Sequence, residues 1–306
     1  MAGDDEVPRG RERFGIGEWY GLSFVVLSPA ERRRFAGMQL VGGKKELIPC
    51  PFQSGPRAPV ACTKAGGVCS LRLYEEDPHT GDVQPAPGGR GRLRTTCPKR
   101  FHENGRIYRW VGEVILGDRA PLVLGEIGFL EHEETGQEVA RIDNVLVARR
   151  TGERLVWCAL EIQAVYFQGA AMSREWSVIR NHRGCGLPFP RAIRRPDYRS
   201  SGPKRLMPQL QMKVPWLRRW GKRMAVVVDE DFFAALGEMD DVGSVSNCDI
   251  AWFAVKYKER GARAKLVPGD VYLTTLERAV EGLTVARPVT MEAFESRIQE
   301  KIEQLG

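Results

Sequence analysis

The stretch "ARIDNVLVARRTGERLVWCALEIQ", Ala140 to Gln163, decides how this chain is read. Two runs rich in Val, Ile, Leu and Trp flank "RRTGER", whose Gly152 suits a turn, and this pattern predicts a β-hairpin. With the turn centred on Gly152, Asp143 and Glu161 stand directly opposite each other. Opposed residues have Cβ atoms about 4.5–5.5 Å apart, and like charges there repel. Alternate strand residues share a face, so Leu155, Trp157, Ala159, Glu161 and Gln163 point one way and Cys158 the other. A carboxylate closing an apolar row needs a compensating charge.

Upstream, "PLVLGEIGFLEHEE" reads as a helix, with Glu126 between Leu122 and Leu130 on one side. Glu126, Asp143 and Glu161 are therefore expected to converge. Hard oxygen ligands suit Mg²⁺, which takes one or two carboxylates and keeps waters for a substrate phosphate. Such an ion would relieve the repulsion, activate a water and stabilise charge developing on a phosphodiester. The plainer reading is structural: Glu161 pairs with a nearby arginine such as Arg141.

The 306 residues allow one large domain or two modest ones with ample core. No run of 18 uncharged apolar residues exists, which predicts no membrane span. The charged N-terminus "MAGDDEVPRGRERFG" lacks an apolar signal core and points to the cytoplasm. The net charge of +7 is uneven. Residues 183–222 hold 11 Lys/Arg and one acid, Asp197, so they carry +10 and leave −3 for the rest. A concentrated basic segment suits a polyanion, nucleic acid first, although a solvated loop would look the same.

Along the chain, Ser28-Pro29 opens a helix, with cap and first helical residue in the preferred order. Residues 46–105 are Gly- and Pro-rich, loop-like, and hold four of the seven cysteines. "IYRWVGEVIL" reads as a strand, "AAMSREWSVIRN" as a short helix, and the six-proline segment 183–222 as mostly irregular. "RMAVVVDEDFFAALGEM" reads as a buried strand entering a helix near Asp229, and "CDIAWFAVKYKE" as another strand. "MEAFESRIQEKIEQLG" reads as an amphipathic helix capped by Thr290. Alternating strands and helices define an α/β class.

Asp143 followed by Glu161-Ile162-Gln163 on the next strand resembles the PD-(D/E)XK nuclease signature. "RIDNVL", "LEIQAVYFQG" and "SGPKRLMPQLQMKVPWLRRWGKRMAVVVD", with the cysteine region before them, are similar to the NotI-like type II restriction endonucleases, from about Cys50 to beyond Asp229. The resemblance implies a core of mixed sheet flanked by helices, with a four-cysteine metal-binding insert. The corresponding division is 1–45 an N-terminal helical and dimerisation part of the core, 46–105 the insert, and 106–306 the catalytic and recognition core. Asp143 and Glu161 match the metal-binding acids, Glu126 an additional upstream carboxylate. Gln163 stands where most such nucleases have Lys; it carries no charge and orients the attacking water by hydrogen bonding. Ile142 rather than Pro precedes Asp143.

The intervals among Cys50, Cys62, Cys69 and Cys97 fit no standard CxxC pair, and His79 and His102 remain alternative ligands. Four thiolates suit tetrahedral Zn²⁺ or iron, and the resemblance implies a structural four-cysteine iron site. In the basic segment, Arg191, Arg194 and Arg195 are candidates for reading bases, and Lys204, Arg205, Arg218, Arg219 and Lys222 for phosphate. Lys213 has no acidic pair beside it in the sequence and reads as structural or DNA-facing. The resemblance further implies a prokaryotic cell, a homodimer on a GC-rich palindrome containing GGCC, Mg²⁺-dependent cleavage of double-stranded DNA, and a protective methyltransferase in the host. Two rivals stand beside it: a repair or structure-specific nuclease of the same fold, and a non-catalytic DNA-binding regulator.

Overall fold

The computed structural model describes residues 10–40, 48–53, 59–149, 155–285 and 289–304. Gly152, on which the hairpin turn is expected to centre, lies outside them. The strands around it pair as predicted. β6 (Leu122–Glu131), β7 (Glu138–Val147) and β8 (Trp157–Ile162) form an antiparallel meander. β7 and β8 are in register from Asn144↔Leu160 to Val147↔Trp157.

Three more strands complete a six-stranded mixed sheet in the order β13-β12-β11-β8-β7-β6. β11 (Met224–Asp229) is parallel to β8, β12 (Ile250–Arg260) is parallel to β11, and β13 (Arg263–Thr274) closes the sheet antiparallel. Parallel neighbours need a crossover, and residues 163–223 supply it. They carry β9 (Phe167–Gly169), α3 (Ser173–Asn181), β10 (Arg194–Pro196), α4 (Tyr198–Ser201) and α5 (Met207–Arg219). One face of the sheet packs under α5 through Leu210, Val214 and Leu217 against Ala159 and Val226. The other face packs under α2 (Arg106–Val111) and its continuing wide turn, Gly112–Leu116, with Ile107, Val111 and Leu116 against Leu146, Cys158 and Leu160.

Before this core lies a second sheet, in the order β2-β1-β3-β4 with β5 also on β3: β1 (Arg11–Trp19), β2 (Leu22–Ser23), β3 (Val68–Glu76), β4 (Val83–Pro85) and β5 (Arg94–Thr95). Between β2 and β3, α1 (Pro29–Leu40) opens on a reciprocal cap: Ser28 N–H donates to Glu31 and the Glu31 N–H donates to Ser28 Oγ. Trp19 stacks on Trp176 of α3. After β11, Asp229 caps α6 (Glu230–Ala234) as expected, Thr275 caps α7 (Leu276–Thr284), and Thr290 caps α8 (Met291–Glu303).

Several expectations are corrected. "IYRWVGEVIL" is helical, because Ile107, Val111 and Leu116 recur on one buried face. "PLVLGEIGFLEHEE" is strand β6, not a helix. As the edge of the sheet it exposes Leu122, Val123 and Leu124 alike, so no strand period shows. Residues 46–105 are not only loop, since β3 forms the centre of the second sheet. Segment 183–222 is not mostly irregular: α5 runs 13 residues, with Pro208 accommodated in its first turn.

Candidate active site

The three acids occupy one row across the meander. Pairs Gly125↔Asn144 and Ile127↔Ile142 set Glu126 opposite Asp143, and continuing the β7–β8 register one step beyond Asn144↔Leu160 sets Asp143 opposite Glu161. Glu126 has a left-handed backbone, φ 38°, which costs a non-glycine residue about 1 kcal/mol or more and recurs at functional sites. Its side chain is exposed and turns toward Arg141, 3.4 Å away. Arg141 also holds Glu138 at 2.7 Å, so it is not the partner of Glu161.

That partner is Lys213. Its ammonium donates to Glu161 Oε2 at 2.8 Å and lies 3.5 Å from Asp143 Oδ1. Lys213 belongs to the buried row of α5, with Leu210, Val214 and Leu217 and with Leu206 just before the helix, and is the only fully buried lysine among the described residues. The reading of Lys213 as remote from any acid is corrected: the β8–α5–β11 crossover carries it back over Glu161, and sequence separation hides this. Glu161 is itself buried, which pushes its pKa up; Lys213 pulls it down and Asp143 pushes it up again. Asp143 is the open side of the cluster, its side chain 56% exposed. An accessible carboxylate, a buried carboxylate and a buried ammonium thus meet at the edge of β7 and β8.

Gln163 follows directly on β8, anchored by its N–H to Val227 O at 3.0 Å. Its side-chain Nε2 donates to Ala164 O at 2.6 Å, which leaves Oε1 as an acceptor. Gln163 opens onto a cleft bounded by Lys64, Thr96, Tyr166 and Arg205. The Arg205 guanidinium lies 4.4 Å from the Tyr166 ring centroid.

The expected DNA-contact residues divide by position. Lys204 and Arg205 are exposed near the Gln163 end of β8. Arg218 and Arg219 lie in the last turn of α5 and Lys222 just past it, beside the start of β8: Lys222 reaches Leu155 O and the Trp157 ring, and Arg219 lies over Trp216. Arg218 is bound to Asp249 and Glu277. Arg191 and Arg195 are exposed. Arg194 is buried, donating to Glu175 at 2.8 Å and to the carbonyls of Ala170 and Ala171, so its guanidinium holds β10 to α3.

The four cysteines, separate in sequence, are neighbours in space. Cys50 and Cys62 flank the Pro49↔Ala61 bridge, and the Cys97 N–H donates to Cys69 O at 3.2 Å. Burial raises the thiols of Cys62, Cys69 and Cys97, and the groups of Cys50, Cys62 and Cys97 interact electrostatically. Among the described residues, however, no three His, Cys, Asp or Glu side chains are grouped tightly enough to hold a metal ion, and all seven cysteines are free. His102 is occupied by Tyr108 Oη and held down to a pKa of about 4 by burial.

An α/β chain with facing acids on adjacent strands and a cation-lined cleft beside them has the makings of a nucleic-acid hydrolase. A family model described as restriction endonuclease NotI matches residues 35–267, well over half of the chain. The chain belongs to that family, and is accordingly a type II restriction endonuclease, a nuclease that binds double-stranded DNA and cuts it at specific sites. Curated proteins offer no match. Among the described residues no helix is long and apolar enough to cross a membrane.

Proposed function

We propose that the chain cleaves DNA with Mg²⁺ held by Asp143 and Glu161 on a PD-(D/E)XK-type core, and that Gln163 orients the attacking water. The observation that carries this reading is the row of Glu126, Asp143 and Glu161 across three adjacent strands, closed by Gln163 at the end of β8. The donor set fits the ion: two carboxylates opposed across β7 and β8, one of them exposed. Mg²⁺ bound there would lower the pKa of a coordinated water and offset charge on the phosphate. Gln163 Oε1 accepts a hydrogen bond from the water and aims its oxygen at phosphorus. A P–O bond forms to that oxygen while the bond to O3′ breaks. The leaving O3′ takes a proton from solvent and the water's proton passes to solvent, giving a 5′-phosphate and a 3′-hydroxyl. Glu126 supplies an outer carboxylate once its side chain leaves Arg141.

The recognition element follows from the family resemblance: a GC-rich palindrome containing GGCC, bound by a homodimer whose two-fold axis matches that of the site. Arg205, which lines the cleft, and the exposed Lys204 beside it in the chain suit the scissile strand. Arg191 and Arg195 are the arginines left for base edges once Arg194 is committed to Glu175. Cys50, Cys62, Cys69 and Cys97 hold a structural iron or zinc ion; the burial of Cys50, Cys69 and Cys97 and the mutual proximity of the four support this, and ligation requires the thiols to draw closer than they stand. Incubation of purified protein with plasmid and Mg²⁺, followed by sequencing of the ends, tests the reading. Uniform ends at one GC-rich palindrome support it. Cleavage set by DNA structure rather than sequence, or binding without cleavage, overturns it.

A further inference from the structure

We propose that Lys213, delivered by α5, supplies the positive charge of the cleavage site that the Glu161-Ile162-Gln163 strand lacks. The inference rests on reading Asp143 and Glu161 as the cleavage acids. Burying an ammonium is expensive, and lysine is almost never fully buried unless paired. Lys213 sits in the core row of α5, where a leucine would pack without that cost, and its ammonium reaches both acids at once. Structural economy alone would call for a neutral residue at Glu161 and an apolar one at position 213. Retaining the pair places one fixed cation beside the open carboxylate, at the point where a phosphate would enter.

The electrostatics give that cation a specific task. Two carboxylates alone present two negative charges to an incoming phosphodiester. Lys213 reduces this to one, and a divalent cation would then leave the site net positive toward the phosphate. In the reaction Lys213 makes and breaks no covalent bond. Its ammonium stays hydrogen-bonded to Glu161, and its charge acts past the exposed Asp143 on the oxygen that gains negative charge as water attacks phosphorus. Gln163 can accept from the water but cannot supply this charge. The two residues thus divide between strand and helix the work of one strand-borne lysine.

The test compares Lys213→Gln, the relocating pair Gln163→Lys with Lys213→Gln, and Asp143→Asn, each rate expressed per folded molecule measured by circular dichroism. Lys213→Gln should lower single-turnover Mg²⁺-dependent cleavage about 10²–10³-fold, the usual loss for one charge-stabilising donor. The relocating pair, which returns a cation to the site and keeps its charge balance, should recover at least tenfold of that. A readout without metal accompanies it: in EDTA, Lys213→Gln should bind its DNA site roughly tenfold more weakly, whereas Asp143→Asn should bind at least as well as the unaltered protein. Cleavage by folded Lys213→Gln within threefold of the unaltered protein, or a folded relocating pair no faster than Lys213→Gln, overturns the inference. If Asp143→Asn itself cleaves normally, the underlying assignment of the acids has failed instead.

Discussion

Replacing Glu161 and Asp143 in turn separates folding from chemistry, because the two acids share a site but not an environment. Glu161→Gln removes the 2.8 Å partner of a buried ammonium. Breaking a buried pair from one side costs about 3–5 kcal/mol, since the remaining charge is left uncompensated. Asp143 stays 3.5 Å from the same nitrogen and absorbs part of this, which brings the expected loss to about 2–3 kcal/mol. For a chain of this size that lowers Tm by roughly 3–5 °C. Asp143→Asn, by contrast, alters a side chain that is more than half exposed and leaves the Lys213–Glu161 bond intact, so stability should change by less than about 1 kcal/mol. Both variants should lose cleavage by several orders of magnitude, because each removes an anionic oxygen needed by the ion. Thermal unfolding followed by circular dichroism, run beside Mg²⁺-dependent plasmid cleavage, reads both quantities. Near-normal cleavage by Asp143→Asn would refute the catalytic assignment. A Glu161→Gln protein that melts with the unaltered one would refute the buried pair.

Three further outcomes follow from the same geometry. Asp229 is fully buried, accepts N–H bonds from Thr95 and Phe232, and is pushed up to a pKa of about 6 by burial. With its folded pKa raised, its contribution to stability is fully present below about pH 4 and lost as pH rises through about 6. The stability difference between the unaltered protein and Asp229→Asn should therefore shrink by up to about 3 kcal/mol across that window in chemical denaturation. His102 has the opposite sign: held down to about 4 by burial, it contributes above about pH 6.5 and loses that contribution as pH falls through 4. His102→Gln should flatten the acid limb of the Tm profile. Changing Lys204 and Arg205 together to Ala should weaken DNA binding across sequences and reduce the salt slope by about 2, measured by filter binding at several salt concentrations; an unchanged slope places the phosphate contacts elsewhere.

How much of the fold is legible in the sequence depends on whether the deciding contacts are local. The β7–β8 register follows from turn length and strand alternation, so the residues of one hairpin suffice to set Asp143 opposite Glu161. Asp229, Thr290 and Ser28-Pro29 announce three helix starts because capping is a matter of a few adjacent residues. β6 misleads because an edge strand exposed on both faces loses the alternation that marks a strand. The α2 stretch misleads for the opposite reason: "IYRWVGEVIL" is dense enough in β-branched and aromatic residues to mimic a buried strand, and only tertiary packing reveals its helical face.

The site shows the same division more sharply. The acids lie within one hairpin, whereas their cation comes from 52 residues further on, across a crossover whose prolines disguise α5 as loop. A signal is present nonetheless. Leu206, Leu210, Val214 and Leu217 recur at helical spacing, and Lys213 falls inside that apolar row rather than opposite it. A lysine on the core side of an amphipathic helix demands an acidic partner from elsewhere in the fold, just as an acid closing an apolar strand row demands a cation. Each segment poses a charge problem that it cannot solve alone. The parallel β8–α5–β11 connection makes the two problems each other's solution, by laying the core face of α5 over the face of the sheet that carries Glu161. Because Asp143 remains at the open edge of that pair, the cluster keeps a net negative charge on the side where a metal ion and a phosphate can approach.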